Sequence, residues 1–210
     1  NPLNYLLRIF FRRVLLKRKV KIMVGINDGS CPAVLNGKMV IEYSLWKNML
    51  RRCYSIKTQV KQPTYVGCTV SENFKNYSFF YKWVQQQVGF NLAGYQLDKD
   101  LLIKGCRIYS EDTCVFVPKP LNALLLNRLR YRGNYPLGVV LHQSGTKYLA
   151  RLNLFGKTQH LGCFKTPEEA FQAYKTAKEA HIKDMAELYK ADIDPRAYAA
   201  LMAYQVEITD

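Results

Sequence analysis

Residues 138–174 read GVVLHQSGTKYLARLNLFGKTQHLGCFKTPEEAFQAY: three extended runs followed by the opening of a helix. The first run, 138–143, stops at the Ser144-Gly145-Thr146 turn, and the second, 147–155, stops at Gly156-Lys157. The third, 158–164, gives way to Thr166-Pro-Glu-Glu169. Runs of this length, rich in Val, Leu, Tyr and Thr and punctuated by glycine turns, pair as antiparallel strands. Thr166 is placed to cap a helix, Pro167 takes its first position and Glu169 closes a capping box. The helix continues through Ala170, Phe171, Ala173, Tyr174 and Ala177 towards Tyr189, and its small residues allow close approach to a sheet.

Alternation along the strands sorts these side chains into two faces. Val139, Leu141, Ala150, Leu152, Leu154 and Leu161 are expected against the helix. Val140, His142, Lys147, Arg151, Asn153, Thr158 and His160 are expected on the opposite face, with Lys157 in the adjoining turn. Histidines beside arginine, lysine and asparagine on one sheet face suit contact with phosphates and base edges of DNA.

The charge balance points the same way. Across 210 residues, 31 Lys and Arg stand against 16 Asp and Glu, a formal net charge of +15. A positive excess of that size favours a polyanionic partner, most commonly nucleic acid. With 49% apolar and 13% aromatic residues, the chain is too hydrophobic for wholesale disorder. No apolar run reaches the roughly 18 residues of a membrane span, so no membrane partner is expected and the location is expected to be cytoplasmic. Cys31, Cys53, Cys68, Cys106, Cys114 and Cys163 form no Cys-x-x-Cys pair. They read as reduced, mostly buried thiols, with a zinc site drawn from Cys53, Cys68, Cys106 and Cys114 as an alternative that has no local signature.

Upstream, residues 1–20 carry Arg8, Arg12, Arg13, Lys17, Arg18 and Lys19 among leucines and phenylalanines, with no acid. At helical spacing this is a basic amphipathic arm. Three readings stay open for it: an arm on phosphate backbone, a helix docked on the body, or a poorly ordered leader. Residues 21–25 read as a short strand and Asn27-Asp-Gly-Ser30 as a turn. Residues 43–54 read as a helix with Leu45, Trp46, Met49, Leu50 and Cys53 on one side. A strand is expected over 65–70. A second helix is expected over 71–88, with Phe74, Tyr77, Tyr81, Val84 and Val88 inward.

Residues 95–130 carry the second arrangement of chemical interest. Strand 95–102, turn Lys104-Gly105, strand 113–117 and a helix opened by Pro118 and running to about Arg130, with Asn122 and Asn127 in it, have the size of a ββα-metal finger. Such a unit can set a strand carboxylate beside a helix side chain so that both hold one divalent ion against a scissile phosphate. Asp98 and Asn122 are the candidate ligands. Lys99 and Asp100 are candidate bases, and alternation puts Asp98 and Asp100 on one face.

These residues resemble the HNH nuclease family: Asp98-Lys99 stands where that family carries Asp-His, Cys114-Val115 where it carries Asn-Leu, and Asn122 at the helix ligand position. Residues 135–183 resemble an AP2-type DNA-binding domain. That likeness rests on Gly138-Val139, Lys147-Tyr148-x-Ala150-x-Leu152, Gly156-Lys157, His160-Leu-Gly-x-Phe164 and Thr166-Pro-Glu-Glu-Ala170. The order of the two units is similar to that of homing endonucleases of tailed phages. The resemblance implies an α+β chain made of arm 1–20, nuclease region 21–132 with its finger at 95–130, AP2-like sheet and helix 135–190, and a short helical tail 191–210. It further implies cleavage of double-stranded DNA with one Mg²⁺ or Mn²⁺ and no organic cofactor; separately, a monomer is one expectation, the oligomeric state being left open by the residues. A DNA-binding protein without cleavage, and a basic component of a nucleic-acid assembly, are the alternatives.

Overall fold

A computed structural model of the chain describes residues 24–125, 135–154 and 156–208. The architecture is mixed α+β, with small sheets set among helices. A hairpin of β1 (Val34–Leu35) and β2 (Lys38–Met39) turns on Asn36 and Gly37, both at positive φ (50° and 73°), as the right-handed twist of a tight hairpin requires. Then come α1 (Ile41–Tyr54), α2 (Ile56–Lys61), a 3₁₀ turn (Pro63–Tyr65), β3 (Thr69–Val70), α3 (Glu72–Lys75) and α4 (Tyr77–Gln85). β3 pairs in parallel with β5 (Ile108–Tyr109). β4 (Tyr95–Asp98) pairs antiparallel with β6 (Val115–Pro118), which runs directly into α5 (Lys119–Leu125). The last sheet has the order β7 (Val139–Leu141), β8 (Tyr148–Leu154), β9 (Lys157–Phe164), all antiparallel, and is followed by α6 (Pro167–Leu188) and α7 (Pro195–Met202).

Two apolar cores share one strand. In the first, Trp46, Met49 and Cys53 of α1 pack with Phe74, Tyr77, Phe80, Val84, Phe90, Leu97 and Phe116. The Trp46 indole donates to the Phe74 carbonyl at 2.7 Å, so its one polar atom is satisfied inside. In the second, Val115, Val117 and Leu121 meet Val139, Ala150 and Leu152 of the sheet and Phe171, Tyr174, Ile182 and Ala186 of α6. Alternation explains the sharing: Phe116 turns into one core while Val115 and Val117 turn into the other. Every residue of β6 is buried as a result.

The sheet-and-helix unit forms as the sequence leads one to expect. Thr166 accepts the Glu169 amide and the Glu169 carboxylate accepts the Thr166 amide, a complete capping box with Pro167 in the first turn. Gly138 sits at φ 77°, and a Cβ there would lie 2.0 Å from the Tyr174 ring, so only glycine lets β7 start this close to α6.

Elsewhere the elements differ from the sequence reading. The helix expected over 71–88 breaks at Asn76, whose backbone is extended (φ −85°, ψ 121°). Its side chain caps α4 by accepting from Phe79, and its neighbours Lys75 and Tyr77 bond the backbone of Ile26. Asparagine competes for backbone groups in this way, and here the cap prevails over helix continuation. Phe80 is fully buried, while Val88, expected inward, is exposed. The strand expected over 65–70 shrinks to Thr69–Val70 behind the 3₁₀ turn. The strand expected over 95–102 ends at Asp98, and Pro118 closes β6 rather than opening the helix. Leu141 lies at the end of β7 and is 42% exposed instead of packed. Of the strand expected over 21–25, Val24 and Gly25 are not extended partners of any strand. The basic arm 1–20, residues 21–23, and Asn127 and Arg130 lie outside the described residues.

The C-terminal segment is part of the second core. Ile193, Ala197, Leu201 and Val206 are buried there. The Val206 amide donates to Glu179 at 2.8 Å and its carbonyl accepts from Lys175 at 2.9 Å, which straps the segment to α6. No helix among the described residues is long and apolar enough to cross a membrane.

Candidate nucleic-acid interface

The register of β7–β8–β9 fixes which side chains share a face. Arg151 lies opposite His160, Asn153 opposite Thr158, and Leu149 opposite both Val140 and Cys163. Residues directly opposite in an antiparallel pair point to the same side. Ala150 and Leu152, on the alternate positions of β8, are buried against α6, so the Leu149, Arg151 and Asn153 set faces away from the helix. His142 and Lys147 extend it, because the His142 amide bonds the Lys147 carbonyl at 2.8 Å. A bulge at Ala150/Arg151 leaves Leu161 between paired positions and returns His160 to the outward side. Lys157 lies opposite Leu154, on the inward set, but stands exposed at the end of the sheet.

Some of these side chains already have local work. Asn153 Oδ1 accepts the Gly156 amide at 3.0 Å and holds the β8–β9 turn. His142 Nδ1 accepts the Ser144 amide at 3.1 Å, so in the neutral ring the proton sits on Nε2. By contrast, among the described residues the side chains of Lys147, Arg151, Lys157 and His160 form no hydrogen bond or ion pair, and all four are exposed. No Asp or Glu occurs from Thr113 through Pro167, while eight Lys and Arg do. The acids that follow next, Glu168, Glu169, Glu179, Asp184 and Glu187, are all on α6, behind the sheet. Among the described residues, the open face therefore carries positive charge with no acid paired to it. Leu149 and Cys163 belong to that face and were missed by sequence reasoning, although the alternation that assigned Arg151 and Asn153 already implied Leu149.

The β4–β6–α5 unit is arranged differently. Gln96 lies opposite Val117 and Asp98 opposite Val115, so both polar residues occupy the side of the hairpin that meets the second core. The Asp98 carboxylate accepts the Asp100 and Leu101 amides, each at 2.8 Å, and so closes the turn that ends β4. Burial raises its pKa above the ordinary aspartate range, against those two hydrogen bonds. Because the strand stops there, Asp98 and Asp100 do not share a strand face; Asp100 is exposed and pairs with Lys99. Lys99 is only 5% exposed, donates to Asp100 and to the Cys106 carbonyl, and lies over the Tyr109 ring. Despite desolvation, its bond to the Asp100 carboxylate raises its pKa, which favours the cation. Asn122 Nδ2 donates to Gln96 Oε1 at 3.0 Å. The groups that helix and hairpin bring together are thus two amides, neither of which titrates.

Asp98 Oδ2 accepts both backbone amides and Asn122 bonds Gln96 through its amide nitrogen, and no group of three His, Cys, Asp or Glu able to hold a metal occurs among the described residues. Desolvation pushes the Cys53 and Cys114 thiols up to about 12, and Cys68 upward, and all three are buried in the first core.

Comparison of the chain with models of known protein families, with curated proteins and with solved structures finds no match.

Proposed function

We propose that this protein binds double-stranded DNA through the outward face of β7–β8–β9, as an AP2-like unit held on an α+β body. The observation that carries the reading is the set of exposed Lys147, Arg151 and His160 on the outward face, with Lys157 exposed at the end of the sheet, none of them hydrogen-bonded or ion-paired among the described residues. A three-stranded sheet fits a major groove, where Arg151 and His160 would reach base edges and Lys147 and Lys157, at the two ends, would lie towards phosphates. Val140, His142, Asn153 and Thr158 complete the contact surface. Binding without cleavage is favoured over hydrolysis because helix and hairpin face each other through the amides of Gln96 and Asn122, and the carboxylate on that side, Asp98, caps the turn that ends β4.

A second reading, a metal-dependent endonuclease of the HNH homing type, is supported by one feature: a β-hairpin running straight into a helix, with Gln96, Asp98 and Asn122 on the helix side of it. The two readings separate in one experiment. The full chain is incubated with supercoiled plasmid and Mg²⁺ or Mn²⁺, and its affinity for a short duplex is measured in parallel. Salt-sensitive duplex binding without nicking is the expected result; nicking abolished by Asp98→Ala and Asn122→Ala would establish the nuclease, and absence of duplex binding would remove both readings.

A further inference from the structure

One row of the outward face is apolar. Val140, Leu149 and Cys163 lie directly opposite one another across all three strands, in the middle of a surface otherwise made of His142, Lys147, Arg151, Asn153, Thr158 and His160. Val140 and Leu149 are half-buried and belong to neither hydrophobic core, and Cys163 is exposed. Cross-strand apolar pairs steady the sheet, and the part of the row left open to water is also free to contact an apolar surface outside the chain. The cations that flank it, Lys147 and Arg151 on the same strand, require that surface to sit within a strongly negative partner. In the major groove the apolar groups are the C5 methyls of thymine. Neighbouring strands lie about 4.8 Å apart, so the row is about 10 Å long and spans about three base-pair steps.

We infer that the Val140–Leu149–Cys163 row reads thymine methyl groups and gives the sheet a preference for thymine-containing duplexes. This deepens the duplex-binding reading and rests on it. Arg151 and His160, one pair further along the strands, then supply hydrogen bonds to the adjacent base pairs, while the row supplies the methyl contacts.

The test compares the full chain on two duplex probes that differ only in that methyl group: alternating poly(dA-dT) and alternating poly(dA-dU). Wild type is expected to bind the thymine polymer about fourfold more tightly for each methyl it covers. Leu149→Asn is expected to bring the ratio close to one, and Cys163→Ser is expected to reduce the ratio in part. Equal affinity of wild type for the two polymers would overturn the methyl-reading row and leave duplex binding standing. A wild-type preference that both variants keep in full would overturn its assignment to this row. Failure to bind either polymer would instead strike the duplex reading itself.

Discussion

The β4–β6 hairpin with α5 and the β7–β8–β9 sheet with α6 use the same device, antiparallel strands running into a helix, and put it to opposite ends. β6 is buried along its whole length between two cores, and the polar residues of the hairpin, Gln96, Asp98 and Asn122, bond one another or the adjacent turn. Among the described residues the later sheet is covered on one side only, and its other side keeps exposed cations without partners. A polar residue that has already found its partners holds a structure together; one left without them is available to a ligand. On the duplex-binding proposal, the hairpin is the scaffold and the sheet is the working surface.

That contrast can be broken from either side. The largest effect is expected at Gly138, where alanine would need a left-handed backbone and would strike the Tyr174 ring at 2.0 Å. A loss of about 3 kcal/mol or more in urea unfolding is expected, and loss of duplex binding with it. Leu201→Ala should cost about 2–4 kcal/mol by opening a cavity under the C-terminal strap, with duplex affinity kept at temperatures where the variant stays folded. Arg151→Ala should leave the unfolding midpoint unchanged and weaken duplex binding about tenfold, about 1.4 kcal/mol. Thr166→Ala, by removing the cap of α6, should cost about 1 kcal/mol.

The smallest effect is the most informative about Asp98. Its folded pKa is raised, so the folded state holds the proton at pH values where the unfolded chain has released it. Stability contributed by this group therefore falls as pH rises from about 3.9, the unfolded value, through the folded value. An asparagine in its place would offer one oxygen to the same two amides and carry no charge. Asp98→Asn is expected to match wild type near pH 4 and to become slightly more stable as pH rises, read from urea midpoints across pH 3–7.

The C-terminal unit was legible because its signals are local: the turn glycines, the alternation and the Thr166–Glu169 box each act within a few residues and agree with one another. The hairpin was legible in outline, with its strands and helix in the expected order, but its polar roles were not. The Asn122–Gln96 bond spans 26 positions and Lys99's contact with the Cys106 carbonyl depends on how the 99–106 turn folds, neither of which periodicity encodes. The break at Asn76 was readable in principle, since asparagine caps helices readily, yet its deciding partner, Ile26, is remote in sequence. The burial of Ile193, Ala197, Leu201 and Val206 likewise follows from docking against α6 rather than from anything in residues 191–210 alone.

The most direct test of the sheet as working surface is a salt titration of duplex affinity for wild type beside Arg151→Glu/Lys157→Glu and Asp98→Asn. Wild type should lose affinity linearly with the logarithm of salt concentration, the charge-reversal variant should bind far more weakly and with a shallower slope, and Asp98→Asn should overlay wild type. Equal binding by the charge-reversal variant, or a loss of binding in Asp98→Asn, would contradict it.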